Sequence, residues 1–374
     1  MTRTRSSRVG AMASAGLIGA GTVLLLLVLE GVSSITLVLR DMLSGPRVVA
    51  ERLHTRHDVE LGWVAIPNVT IRDMYGAGRH LRTNDQGFRH DGHVPRAVPV
   101  GRRRVICSGD SFTFGYGVAN EQTWCARLAA LDARLETVNM GQGGYGVDQA
   151  YLWYMRDGRT LERDLHLFAV VTVDFSRMAQ KRFLGYDKPV LTLEDGRLTT
   201  TNVPVPRRSP AMLRLGRTVG LAGNLSSIRM LRGLVQRWRV PPTPPAPSDP
   251  IAGVTRRVLD TLVGENAAKG SSSVVVYLPM EGDYEGHDSD AWRQALGAWA
   301  RDADWHFVDL VEEVRALTPD EMDGVFIPKG VIPFESAAGH YTARGNALIA
   351  RLLHRALLSI DPVARRLGAT DPEP

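Results

Sequence analysis

Residues 11–29 read AMASAGLIGAGTVLLLLVL, nineteen positions without a charge. As a helix they span about 28 Å, close to the roughly 30 Å hydrocarbon core of a bilayer. Glu30 breaks the run, and GVSSITLVL continues it more weakly to Arg40. Residues 41–100 lose periodicity and read as an irregular lead-in rich in Gly, Pro and Asn. From residue 102 strand and helix patterns alternate. RRRVICSG (102–109) is a short apolar run ending in glycine, a strand signal. Residues 121–134 place Trp124, Leu128 and Leu131 at helical spacing. ETVNMG (136–141) reads as a second strand, 147–160 as helix, and LHLFAVVTV (165–173) as a strand buried on both faces.

The alternation then breaks. Residues 185–208 contain an Asp195-Gly196 turn signal and predict a β-hairpin. A basic amphipathic stretch follows at 210–239, then the Pro-rich connector PPTPPAPSDP at 241–250. The pattern resumes with helix at 251–268, strand at 272–279, helix at 289–303, strand at 305–310 and helix at 342–359. Five strands separated by helices predict an α/β fold. Its core is a five-stranded parallel sheet in a flavodoxin-like three-layer sandwich, behind an N-terminal transmembrane helix. The organisation is a cytoplasmic tip and anchor at 1–40, the lead-in at 41–100, one domain at 101–362 with an insertion at about 180–250, and a tail at 363–374.

Arg3, Arg5 and Arg8 precede the apolar run, so the positive-inside rule leaves them in the cytoplasm and the rest of the chain outside. A cleaved signal peptide is the alternative; its charged start fits. However, the run exceeds a usual signal core and no A-x-A site follows the leucines. Net charge is +5, spread along the chain, and no basic cluster alternates with aromatics, which argues against nucleic acid as a partner. Two cysteines exclude a disulfide scaffold and a Cys-based zinc cluster, and no metal or organic cofactor is implied. Cys107 on the first strand and Cys125 on the next helix are expected as free, buried thiols, with a disulfide as the alternative.

The candidate chemistry starts where the first strand ends, in Gly109-Asp110-Ser111-Phe112-Thr113-Phe114-Gly115. Open α/β sheets build their sites at the C-terminal ends of strands, and a helix N-terminus there favours negative charge. Asp110 and Ser111 capping the next helix is the structural alternative. GDSFTFG resembles the first block of the SGNH (GDSL-type) hydrolases, whose serine is the nucleophile. Asn139-Met140-Gly141-Gln142-Gly143-Gly144 resembles the second block, which implies Gly144 as the oxyanion glycine. Gly339-His340-Tyr341-Thr342-Ala343-Arg344-Gly345-Asn346 resembles the last block, which implies His340 as the base. TNDQGFR at 83–89 resembles a segment that precedes this domain in membrane-anchored bacterial members.

The resemblance implies a membrane-anchored serine esterase or O-acyltransferase, acting outside the cytoplasm on O-acyl groups, O-acetyl among them, of a cell-envelope glycan. Ser111 and Gly144 N–H groups would hold the oxyanion. Two positions depart from the family. Val173 stands where the third block carries an oxyanion-donating asparagine, in Val171-Thr172-Val173-Asp174. Ala337 stands where the family's acid would lie, three residues before the histidine. Glu335 is therefore the candidate that orients His340; a bare dyad and a backbone carbonyl remain open. A degenerate, non-catalytic glycan- or partner-binding protein is the rival reading. Gly141-x-Gly143-x-x-Gly146 fits a dinucleotide fingerprint formally, but follows the second strand rather than the first. His287 lies among acidic residues that read as a surface loop, and Trp292, Trp299 and Trp305 as core.

Overall fold

The computed structural model describes residues 3–43, 53–183, 186–207, 227, 247 and 250–368. The expected basic stretch at 210–239 lies outside the described residues except for Ser227, and the connector at 241–250 except for Pro247 and Pro250. The chain forms two compact units, Met1–Arg47 with Ser209–Pro242, and Val48–Arg208 with Thr243–Pro374. In the first, α1 (Arg3–Leu43) contains Leu17–Leu37, long and apolar enough to cross a membrane, with mean hydropathy 2.0. Leu24, Leu25, Leu26 and Leu27 are exposed along it. Ser227 donates its N–H and its hydroxyl to the Glu30 carboxylate at 3.1 and 2.8 Å. A carboxylate in an apolar helix needs such partners.

The second unit opens with two small antiparallel pairs in the stretch expected to be irregular. These are β1 (Thr55–Asp58) with β2 (Gly62–Ala65), and β3 (Thr70–Ile71) with β4 (Leu81–Arg82). The central sheet follows: β5 (Arg103–Gly109), β6 (Leu135–Gly141), β7 (Leu165–Val170), β12 (Ser272–Tyr277) and β13 (His306–Asp309). It is parallel throughout, in the order β13-β12-β7-β5-β6. Helices α2 (Ser111–Phe114), α3 (Trp124–Leu131), α4 (Val147–Arg156), α5 (Thr172–Met178), α6 (Ile251–Ala268), α7 (Asp290–Ala303) and α10 (Ala343–Leu358) connect the strands or follow the last of them. Short helices α8 (Val311–Arg315) and α9 (Pro319–Met322) lie between β13 and α10, and α11 (Asp361–Arg366) follows.

Strand alternation builds two cores. Val105 and Cys107 face one side with Trp124, Leu128, Ile349 and Leu353. Ile106 faces the other with Trp153, Val258, Leu262 and Trp292. Both faces are therefore apolar, as the continuous strand runs require. The core extends past residue 362, since Val363 and Leu367 are buried.

The insertion begins with the two-residue strands β8 (Arg182–Phe183) and β9 (Tyr186–Asp187), followed by the hairpin β10 (Val190–Glu194) and β11 (Arg197–Thr201). Its turn residues Asp195 and Gly196 have φ of 48° and 74°, as a primed two-residue turn demands. Val171 to Val173, expected to end the third strand, instead start α5. The Asp174 carboxylate accepts the Val171 N–H at 3.0 Å and turns the chain into helix.

Two glycines shape the edge that carries the candidate serine. Gly109 and Gly141 are register partners at the ends of β5 and β6. A Cβ on Gly109 would collide with the Thr113 hydroxyl, and one on Gly141 with the backbone of Thr113 and Phe114. Their absence lets α2 lie directly on the sheet edge. Arg89, buried, closes the far end of that helix. It donates to the carbonyls of Phe114 at 2.6 Å, Gly115 at 2.5 Å and Val118, and to Asn120 Oδ1 at 3.0 Å. Cations favour helix C-termini for this reason.

Cys107 and Cys125 form a disulfide, contrary to the free thiols expected. The reason is packing: α3 lies on β5, bringing the two Cα atoms to 6.3 Å, within bridging range. The bridge closes a loop of 18 residues, for which chain entropy gives about 3 kcal/mol. A Cys107→Ala/Cys125→Ala variant is therefore expected to lose about 3 kcal/mol of unfolding free energy in guanidinium titrations, and reductant should destabilise the parent but not the variant.

Candidate active site

Ser111 is the first residue of α2. Asp110 caps that helix, its Oδ1 accepting the Phe112 N–H at 2.8 Å. Gln142 N–H donates to Gly109 O at 3.0 Å, tying the loop after β6 to the end of β5. Asn139 does the same from its side chain, donating to Thr113 O at 2.8 Å and accepting Gly141 N–H at 2.9 Å. The turn carrying Ser111 and the loop carrying Gly144 are thus one hydrogen-bonded body.

His340 is held by an isolated bridge between Phe326 and Tyr341. Ile327 N–H donates to His340 O, and Gly339 N–H to Ile327 O, both at 2.8 Å. Thr342 caps α10, and Asn346 Oδ1 accepts the Trp124 N–H at 2.8 Å, joining α10 to α3. These contacts set the imidazole beside the serine. The Ser111 Oγ to His340 Nε2 distance is 2.7 Å, between residues 229 apart in sequence. The Phe112 ring stacks on the imidazole at 4.4 Å.

Burial drives the His340 pKa down to about 4; the nearby Asp110 charge opposes this and Arg177 adds to it. The ring is therefore a neutral acceptor through the physiological range. Its Nδ1 is buried and has no hydrogen-bond partner. The Ala338 and Ala337 carbonyls lie near enough to favour its protonated form, but neither meets hydrogen-bond geometry with Nδ1.

Glu335 does not orient His340, contrary to expectation. It is exposed at the start of a 3₁₀ turn, Glu335–Ala337. The hydrogen bonds of Ala338 N–H to Glu335 O and His340 N–H to Ala337 O curl this segment through its backbone. The Glu335 side chain stays in solvent while the imidazole turns inward. Ala337, where the resemblance implies an acid, is fully buried among Phe334, Tyr116 and Ile327. Val173 is half-buried on the first turn of α5 and offers no donor.

Sequence reasoning missed Arg177. Its Nη1 donates to Asp110 Oδ2 at 3.1 Å, Asp174 Oδ1 at 2.8 Å and Tyr145 O at 2.8 Å. Asp110 Oδ2 is also 3.3 Å from Ser111 Oγ. Burial, and next the charge of Asp110, push the Asp174 carboxyl well above its usual range. Arg177 thus bridges the two carboxyl groups beneath the serine. The available signal was the Asp174–Arg177 spacing of three on a helix, a frequent ion-pair separation. From the insertion, Phe183 covers the guanidinium at 5.0 Å, and buried Lys188 pairs with Asp148 at 2.5 Å while donating to Arg177 O at 3.1 Å.

The remaining candidates are structural. In the 141–146 glycine run, the Tyr116 hydroxyl lies where a Gly143 side chain would begin. His287 bonds Asp290 at 2.7 Å on an exposed surface. Trp292 stacks on Phe175 at 3.8 Å in the core.

No family model and no curated protein matches the chain. Solved structures do. A member of the lipolytic protein G-D-S-L family from Veillonella parvula is 14% identical over 69% of this chain and 97% of its own, with TM-score 0.35. An acetyl xylan esterase is 13% identical over 68% and 99%, with TM-score 0.38. A catalytic variant of an acetylxylan esterase from Geobacillus stearothermophilus is 12% identical over 69% and 95%, with TM-score 0.37.

A neutral imidazole is needed to accept the serine proton. The rate of Ser111 phosphonylation is therefore expected to fall only as pH drops through about 4, His340's pKa, and to stay flat from there to neutrality. Asp110→Asn, which removes the charge that opposes the lowering, should drop that pKa further and shift the acid limb to lower pH. Glu335→Gln should leave the profile unchanged. Stopped-flow labelling across pH checks all three.

Proposed function

We propose that this chain is an exported serine ester hydrolase of the SGNH type. The 2.7 Å contact between Ser111 Oγ and His340 Nε2 carries the reading. Ser111 attacks an ester carbonyl as its proton passes to Nε2, and the carbonyl oxygen becomes the oxyanion. Ser111 and Gly144 N–H groups receive that charge. The C–O bond to the leaving group breaks as His340 returns the proton to it. Water, or a sugar hydroxyl in an acyltransferase, then attacks the acyl-serine by the same proton route.

The apolar N-terminal helix and the cysteines support a compartment, and the compartment a substrate class. The three N-terminal arginines before an apolar helix favour a single-pass anchor with the catalytic unit outside the cytoplasm. The Cys107–Cys125 bridge fits an oxidising compartment. At that location an O-acyl, foremost O-acetyl, group on a cell-envelope glycan is the substrate class we favour.

The unpartnered Nδ1 of His340 and the missing donor at Val173 favour a second reading, a protein that binds acylated glycan without turnover. Full-length protein in detergent, treated with a serine-directed fluorophosphonate, separates the two. Labelling that Ser111→Ala abolishes is the expected result; a parent that resists labelling at neutral pH leaves the binding reading.

A further inference from the structure

The oxyanion side of the site lacks one donor, and a hydroxyl that no backbone group engages stands beside it. Tyr116 lies five residues after Ser111, and its N–H donates to Ser111 O at 3.2 Å. Its ring is fixed edge-on between Phe334 at 4.9 Å and Phe114 at 5.5 Å. One side of it meets the His340 ring at 5.4 Å. Its hydroxyl reaches the loop after β6 and presses on Gly143, where any Cβ would overlap it. Gly143 is the neighbour of Gly144. Tyr116 thus spans from the base to the oxyanion loop.

Its hydrogen-bond partner is His54 Nε2, at a long 3.4 Å. His54 comes from the lead-in segment and is fully buried, stacked on Phe114 at 5.5 Å. Burial first, and Arg89 second, lower its pKa to about 3, so it is neutral and carries one ring proton. His54 Nδ1 has no partner. A proton on Nδ1 would leave a buried N–H donor without an acceptor. A proton on Nε2 leaves only a lone pair unmet, and orphaned acceptors are the more tolerated of the two. With the proton on Nε2, His54 donates to Tyr116 Oη. The tyrosine proton is then directed away from His54. Burial also pushes the Tyr116 phenol far up in pKa, so it remains a donor.

We propose that the Tyr116 hydroxyl, oriented by His54, donates to the oxyanion as a third donor beside the Ser111 and Gly144 N–H groups, replacing the one absent at Val173. This rests on the serine-esterase reading above. Tyr116 is in that case a catalytic residue and His54 a positioning residue.

The test is steady-state hydrolysis of p-nitrophenyl acetate by the full chain in detergent. Tyr116→Phe keeps the ring and its packing. It should lower kcat by about 100- to 1,000-fold with KM nearly unchanged, the loss expected for one oxyanion donor. His54→Phe should give a smaller kcat loss, again with KM held. Val173→Asn placed in the Tyr116→Phe background restores a donor from the other side and should recover about tenfold or more in kcat, a rescue that a purely structural tyrosine would not permit. Tyr116→Phe with kcat within about threefold of an active parent overturns the inference and leaves the esterase reading intact. A parent that neither hydrolyses the ester nor labels with fluorophosphonate overturns both.

Discussion

Two missing side chains govern the geometry of the site. Gly109 and Gly141 end adjacent parallel strands in register, and neither has room for a Cβ. Because the edge is bare, the four-residue α2 can settle onto it, and its first residue is Ser111. Everything else follows from that seat. Asn139 and Gln142 can reach across only because the backbone approaches so closely. Arg89 can collect the carbonyls at the helix's far end only because the helix is one turn long. An alanine at Gly141 would have to move the backbone of Phe114, and with it the serine.

Charge beneath the serine is balanced by burial rather than by solvent. One guanidinium, Arg177, meets two carboxyl groups, and desolvation pushes the Asp174 carboxyl well above its usual range. The insertion takes part in this balance. Lys188 supplies a buried cation to Asp148 and a donor to the carbonyl of Arg177, and Phe183 closes over the guanidinium. Phe183 and Lys188 therefore do more than decorate the sheet. They pack over the charges that lie near Ser111, and low dielectric makes those charges felt.

The sheet was legible because its strands are short apolar runs separated by helical periodicity, a pattern local to each segment. Ser111 and His340 were legible because the short stretches around them resemble known blocks, although His340 lies well past the last strand, beside the Phe326–Tyr341 bridge. What could not be read depended on contacts across elements. Cys107 and Cys125 pair because α3 packs on β5, which spacing alone does not reveal. Arg89 and Arg177 looked like ordinary basic residues until helix ends and carboxyls met them. Glu335 was misplaced for a related reason. Five residues of loop allow many paths, and the backbone hydrogen bonds of the 3₁₀ turn chose one that leaves its side chain in water. Val171 to Val173 looked like strand because their side chains are β-branched or apolar, but one carboxylate cap outweighed that preference.

The two positions that depart from the pattern the resemblance implies differ physically. Ala337 sits in an aromatic pocket closed by packing. An imidazole in that setting keeps a low pKa and gains little help in carrying the transferred proton. Val173 lies half-buried at the helix start, packed against the core. A deficit on the base side can be offset wherever the transition state's charge is met, since the proton and the oxyanion develop together. On the proposed esterase reading, a compensating donor would act on the oxyanion. That reading places the demand on the loop from Gly143 to Gly144 and on the Tyr116 hydroxyl that presses against it.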